Sequence, residues 1–342
     1  MKRAKRAAPS DDLLADPFRE RSSTVLREEL QILGGRFLFE TETRPLLRLA
    51  QSAFAGLPRH TLTAPAPRFR VKLILGSTGK GRTRTKPPAM SMMSGAGLLC
   101  GTNDLSSFAV ISPNENAALI VVSPDMLRFS YHTRYELIEF AVYILASRTQ
   151  GLVPLHAACV GRDGRGLLLI GPSGSGKSTV ALHCLLQGFD FVSEDSVFVT
   201  PDRLLATGVP NFLHVRRDSV RFLNDRSHAS RIHKSPVIQR RSGVRKFEVD
   251  LRCWDCKLAA TPLPIDAVIF TSVEKADDAP LLRRLRTFEL LAQLRATQPY
   301  AVNSSKWSTF TKNLTRVNAF ELRRGTHPLE AVSALRELVD AP

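Results

Sequence analysis

Apolar positions first fall into a helical rhythm at residues 44–57, where Leu46, Leu47, Leu49 and Ala50 share one stripe and Gly56 closes the segment. Residues 69–75 alternate apolar and basic side chains, the period of a half-exposed strand. Residues 76–88, rich in Gly, Thr, Lys, Arg and Pro, read as a loop. Two short apolar runs, 108–111 and 118–122, flank the turn Ser112-Pro113-Asn114-Glu115-Asn116 and predict paired strands. Residues 135–148 return to helical spacing through Leu137, Ile138, Phe140, Ala141 and Ile144. Together these predict a small α+β domain over residues 26–150. Residues 1–25 are polar and charged without periodicity, and predict a mobile tail.

The pattern changes at Leu152. Residues 153–160 and 166–170 are apolar runs separated by Gly161-Arg162-Asp163-Gly164, a turn signal that predicts a hairpin. A helix follows at 180–187, then short buried strands at 189–192 and 197–199 and a further strand at 266–270. A closing helix, strand and helix fall at 288–295, 318–322 and 328–339. This is the order of an α/β domain, spanning 151–342, and no internal repeat is visible.

Between the second apolar run and the helix stands Gly171-Pro172-Ser173-Gly174-Ser175-Gly176-Lys177-Ser178-Thr179, which satisfies G-x-x-x-x-G-K-[ST] in a strand-to-helix context. The glycines let the backbone close around phosphates, and the exposed N–H groups and helix N-terminus supply partial positive charge. Gly171, Ser173, Gly174, Ser175, Gly176, Lys177, Ser178 and Thr179 are the candidate nucleotide ligands. Lys177 suits the β/γ-phosphates and Ser178 suits Mg²⁺. No N-K-x-D motif of a GTPase follows, nor the L-S-G-G-Q signature of a transporter ATPase. Ser193-Glu194-Asp195-Ser196 places Asp195 18 residues after Lys177. Two adjacent carboxylates at a strand end can hold Mg²⁺ and accept a proton from an attacking hydroxyl.

Composition narrows the field. With 43% hydrophobic and 23% charged residues among 342, the chain is of ordinary globular type. Its longest apolar stretches, 117–122 and 140–146, fall far short of the ~20 residues of a membrane span. Lys2, Arg3, Lys5 and Arg6 precede no apolar run of a secretory signal. Five scattered cysteines suit a reducing compartment, and a cytoplasmic protein is expected. Cys253 and Cys256 have the spacing of half a zinc site, but no second pair follows, so both read as plain thiols. The formal charge of +16 concentrates in residues 214–257, with twelve Lys and Arg against five Asp and Glu. A basic face can bind nucleic acid or equally steer an acidic protein or a phosphorylated ligand, but no nucleic-acid-reading motif accompanies it, so nucleic acid is not the expected partner.

Leu155-His156-Ala157-Ala158-Cys159-Val160, the hairpin, the glycine-rich loop and the acidic pair together resemble the HPr kinase/phosphorylase family. The resemblance is strong over residues 152–200 and extends to about 275. It implies an α/β fold: a P-loop kinase core of the HPr kinase type, here with a smaller N-terminal α+β domain. It implies transfer of the γ-phosphoryl group of ATP, with Mg²⁺, to a serine or related hydroxyl, and a tendency to form homo-oligomers. It places His156 near the transferring phosphate, and Glu194 and Asp195 where the family has two aspartates. One of the two would be the catalytic base and the other a magnesium ligand, in either assignment.

The chain also departs from that family. Glu194 replaces the first aspartate, and Ala158 stands where the family strand prefers Ser or Thr. Asn211-Phe212-Leu213-His214-Val215-Arg216-Arg217 occupies the region of its downstream glycine-rich signature, and the N-terminal half is unlike the typical bacterial HPr kinase. These departures point away from HPr as acceptor and from phosphorolysis. The expected function is an ATP-dependent kinase acting on a serine or threonine of a protein or peptide. The alternatives are an ATP-binding switch or ATPase without acceptor, and a small-metabolite kinase. Arg216, Arg217, Arg245 and Lys246 are candidate cations for the phosphoryl group or an acidic peptide. His183, within the helix, is expected to be packed.

Overall fold

The computed structural model describes residues 24–76 and 84–340. Most of the expected tail and the centre of the expected loop at 76–88 therefore lie outside the described residues. The first strands come earlier than periodicity suggests. β1 (Leu26–Ile32) and β2 (Gly35–Thr41) form a hairpin around Leu33 and Gly34, both at positive φ. β1 escapes a reading by alternation because it is an edge strand with Arg, Glu and Gln and only one fully buried side chain.

Helix α1 (Arg44–Phe54) begins with a proline in its first turn and ends three residues before the expected boundary. β3 (Arg68–Leu75) lies parallel to β2, with its basic residues outward and Phe69, Val71 and Leu73 buried. A hairpin not anticipated from periodicity, β4 (Ser91–Gly95) and β5 (Leu98–Asp104), precedes β6 (Ser107–Ser112) and β7 (Ala117–Val122). β4 is exposed throughout and so carries no hydrophobic period. The seven strands form one sheet in the order β1-β2-β3-β7-β6-β5-β4. The helix expected at 135–148 is present but irregular. Thr133–Glu139 winds as a π-helix and continues into α2 (Phe140–Gln150), which ends at left-handed Gly151.

The expected strand at 153–160 is two strands, β8 (Val153–Leu155) and β9 (Ala158–Arg162), broken at His156 and Ala157. A continuous apolar run cannot reveal that break, because both halves are buried while pairing with different neighbours. β10 (Arg165–Ile170) completes the expected hairpin with β9 across Asp163 and Gly164, both at positive φ. Then come α3 (Lys177–Leu186), β11 (Asp190–Ser193), β12 (Val197–Val199) and β13 (Leu205–Gly208).

β14 (Phe212–Val215), α4 (Arg226–Lys234), β15 (Val237–Gln239) and β16 (Arg245–Asp250) follow; the three strands make a small separate sheet in the order β14-β16-β15. β17 (Leu263–Lys275) is far longer than the expected 266–270. β18 (Leu282–Arg284), α5 (Thr287–Thr297), α6 (Trp307–Leu314), β19 (Asn318–Arg324) and α7 (Pro328–Asp340) close the chain. The main sheet runs β11-β9-β10-β17-β13-β12-β8, with β19 on β17 and β18 on β19.

The architecture is mixed α/β with several sheets. β10, β17 and β19 run parallel at the centre of the second large sheet. α3 and α7 bury Ala181, Leu182, Leu185, Leu335 and Val339 in one apolar core, while α5 and α6 bury Leu290, Leu294 and Phe310 in another. The two halves of the chain touch through buried polar contacts. His60 Nδ1 lies 2.7 Å from Thr207 Oγ1, its Nε2 donates to the Ala259 carbonyl at 2.9 Å, and the Asn211 side chain donates to the carbonyls of Ala53 and Ala55. Among the described residues no helix is long and apolar enough to cross a membrane.

Candidate functional site

The glycine-rich loop leaves the end of β10 and turns into α3. Two of its glycines need their freedom: Gly174 and Gly176 have φ of +88° and +104°. A Cβ on either would meet nothing within 4 Å, so the backbone there faces open space. A Cβ on Gly171, in contrast, would lie 2.5 Å from Thr271 Oγ1. The neighbouring strand β17 thus packs directly beneath the loop. Ser175 is tied down on the same side, 2.6 Å from Thr271 Oγ1 and donating to the Pro172 carbonyl at 2.8 Å. Ser173 is exposed, and Thr179 points away to Ser219 Oγ at 2.8 Å.

Lys177 lies across its own loop, donating to the carbonyls of Gly171 at 2.6 Å and Pro172 at 3.3 Å. Burial lowers its pKa, against the opposing pull of Asp195 and Glu194. Ser178, the next residue, donates its hydroxyl to Glu194 Oε1. Loop and acidic pair therefore meet at the first turn of α3.

The two carboxylates sit in different surroundings. Glu194 is buried, and its Oε2 accepts from the His214 backbone N–H at 3.1 Å and from Nδ1 at 3.2 Å, with Lys246 Nζ 3.7 Å from Oε1. Burial opposes its charge, but His214, Lys246 and the Ser178 hydroxyl outweigh that cost and hold the carboxyl well below the usual range. His214 donates its other ring nitrogen to Glu248 at 3.4 Å. Burial would neutralise this imidazole, yet its two carboxylate partners raise its pKa to about 9.

Asp195 turns outward. Its Oδ2 accepts from both terminal nitrogens of Arg240 at 3.0 Å, and its Oδ1 lies 3.2 Å from His156 Nδ1. His156 stands half exposed in the break between β8 and β9, not packed within a strand. Gln298, at the end of α5, holds that break in place: its carbonyl accepts from the His156 N–H at 2.8 Å and its amide donates to the His156 carbonyl at 3.1 Å.

Lys177, Ser178, Glu194, Asp195 and His156 thus come together. Of the four candidate cations, Lys246 reaches the site, while Arg216, Arg217 and Arg245 are exposed. His183 is buried against His327, as expected for a packed residue. Sequence reasoning missed His214, Arg240, Glu248 and Gln298. A signal existed for one of them: His214 is a polar residue inside the otherwise apolar strand β14, whereas Glu248, its partner in register on β16, sits among other charged residues and does not stand out.

Among the described residues no group of three or more His, Cys, Asp or Glu is arranged to hold a metal ion. Cys253 is exposed and Cys256 partly buried, and both are free thiols. The Ser178 hydroxyl and the Glu194 carboxylate do fit Mg²⁺, which takes oxygen donors and usually only one or two from protein beside a nucleotide.

No family model matches the chain, and no curated protein matches it. Among solved structures it is similar to the Hpr(Ser) kinase/phosphatase from Coxiella burnetii, at 14% identity and a TM-score of 0.26. That match covers 54% of this chain and 87% of the other, a likeness too slight to assign a family.

Proposed function

We propose that this chain is an ATP- and Mg²⁺-dependent kinase that transfers the γ-phosphoryl group to a serine or threonine hydroxyl of a protein or peptide. The reading rests on one observation above the others: two neighbouring carboxylates stand in different surroundings. Glu194 is buried on the hydroxyl of Ser178, and Asp195 faces the half-exposed His156. An ATP-binding switch needs only the first of these. A carboxylate held beside a histidine at the mouth of the site favours a kinase, because an acceptor hydroxyl can reach it.

The backbone N–H groups of the loop at 171–176 and the N-terminus of α3 bind the phosphates, with Lys177 swinging from its own carbonyls to the β/γ-phosphates. Ser178 and Glu194 would hold Mg²⁺, which when bound neutralises charge on the phosphate oxygens. Asp195 accepts the proton of the acceptor hydroxyl as its oxygen bonds to phosphorus and the bridging β–γ bond breaks, leaving ADP. Arg240 orients that carboxylate, His156 Nδ1 lies against both it and the Asp195 backbone carbonyl, and Arg240 sits where it can also neutralise the phosphoryl group. Catalysis here is positioning and charge neutralisation, with no covalent enzyme intermediate.

Phosphoproteomics on extract from the native organism tests the reading, with wild type and Lys177→Ala incubated separately with ATP and Mg²⁺. A serine or threonine phosphorylated only by wild type supports it. No such site, with γ-labelled ATP in a parallel incubation passing its phosphate to small molecules alone, moves the function to a metabolite kinase.

A further inference from the structure

The N-terminal half reaches the phosphate site through one unbroken line of buried charge. Arg134, in the π-helical turn ahead of α2, donates through Nε to Glu139 at 2.9 Å and through both terminal nitrogens to Glu248, one of them at 3.3 Å. Glu248 accepts from His214, His214 donates to Glu194, and Glu194 accepts from Ser178. All five ionisable members are at least nine-tenths buried, and from Arg134 to Glu194 their signs alternate, while burial raises the pKa of Glu139 at the outer end. The Arg134 guanidinium is also stacked 4.2 Å over the Phe212 ring, so its plane is set as well as its bonds.

Such a line is a poor stability device. Removing such charges from water costs several kcal/mol each before pairing, and apolar residues of similar size would often serve stability as well. What it does supply is orientation. Glu194 has no freedom to rotate while His214 holds one of its oxygens, and His214 has none while Glu248 holds its other nitrogen. Glu248, in turn, is aimed by a residue 114 positions away in sequence. Arg134 lies within a π-helical turn, a rare conformation that recurs at functional positions.

We infer that Arg134 is a positioning residue for the metal-binding pair Ser178 and Glu194, so that the N-terminal half completes the magnesium site of the second half. The inference rests on the kinase reading only in taking that pair as the metal site. Arg134 touches neither nucleotide nor acceptor; it acts through Glu248 and His214. Lysine cannot replace it, because a single ammonium cannot span Glu139 and Glu248 with a planar fork.

Mn²⁺ affinity, read by water-proton relaxation with a non-hydrolysable ATP analogue bound, tests the inference apart from activity. Loss of outer partners of a metal ligand typically weakens metal binding by about 10–100-fold, and Arg134→Met is expected to weaken Mn²⁺ binding by at least about tenfold. Metal-free affinity for the analogue stays as in wild type, and Arg134→Lys recovers only part of the loss. In a Glu194→Gln background, Arg134→Met produces no further change, because the line is already cut. Glu248→Gln cuts it one link nearer and carries the same expectation if Arg134→Met does not fold. Wild-type Mn²⁺ affinity in the soluble variants, or additive losses in the double variant, overturns the inference. Failure of the wild type to bind analogue or Mn²⁺ overturns the kinase reading itself.

Discussion

His156 and Asp195 meet at the mouth of the site, with Nδ1 of the histidine 3.2 Å from Oδ1 of the aspartate. The same aspartate receives both terminal nitrogens of Arg240 on its other oxygen, and Arg240 in turn lies 5.8 Å from the Tyr135 ring centre. Groups from three places thus surround Asp195: His156 from the break between β8 and β9, whose Nδ1 is also 3.2 Å from the Asp195 carbonyl, Arg240 from the turn after β15, and Tyr135 of the π-helical turn beneath Arg240. Under the proposed kinase reading, this is the carboxylate that takes the acceptor's proton.

The clamp on His156 is the first consequence open to test. Gln298→Leu leaves the His156 N–H and carbonyl without their buried partner, at a cost of about 1–3 kcal/mol in unfolding free energy. It also frees the break between β8 and β9 to shift. Urea unfolding with phosphotransfer assays is expected to give lowered stability and a rate that falls further than stability alone explains. Unchanged transfer would remove His156 from the account.

Gly171 carries the second. A methyl group there would press on Thr271 Oγ1 and, at 2.7 Å, on its carbonyl oxygen, both fixed by β17. Gly171→Ala is expected to lower stability by about 1–3 kcal/mol and to displace the loop. Calorimetric titration with ATP should then show weakened binding. Gly174→Ala, with no neighbour within 4 Å but φ of +88°, strains the backbone without that collision and should weaken binding without the same packing loss.

His183 supplies a pH dependence away from the site. Burial, reinforced by His327, lowers its pKa to about 4 from the ordinary 6.5. The folded pKa lies below the unfolded one, so the unfolded chain takes up the proton first as pH falls. The stability that the neutral ring contributes is present above about pH 6.5 and is lost progressively towards about pH 4. Denaturant unfolding at about pH 7 and about pH 5 should show a smaller drop for His183→Leu than for wild type. An equal drop would mean that the ring is charged in the folded state.

Much of this was legible in the chain, and what was not has physical causes. The loop at 171–179, the hairpin at Asp163-Gly164 and the helix after it announce themselves locally, through glycine spacing and turn residues whose backbone needs are strict. The pair Glu194 and Asp195 was visible as a pair, but the difference in their surroundings was not. That difference depends on His214, Lys246 and Arg240, which lie 20, 52 and 45 residues away from their partners in sequence and come near through the small sheet β14-β16-β15. Edge strands such as β1 and β4 were hidden because they bury almost nothing. The break at His156 was hidden for the opposite reason, since everything on either side of it is buried.

The kinase reading is tested most directly by following the γ-phosphoryl group of labelled ATP in the presence of Mg²⁺ and native extract, with wild type and Asp195→Asn side by side. If Asp195 is the base, wild type passes label to a protein or peptide, while the variant binds ATP as tightly and transfers about 100-fold more slowly or worse. Label released only as inorganic phosphate, at the same rate in both proteins, would contradict the account and leave an ATP-driven switch in its place.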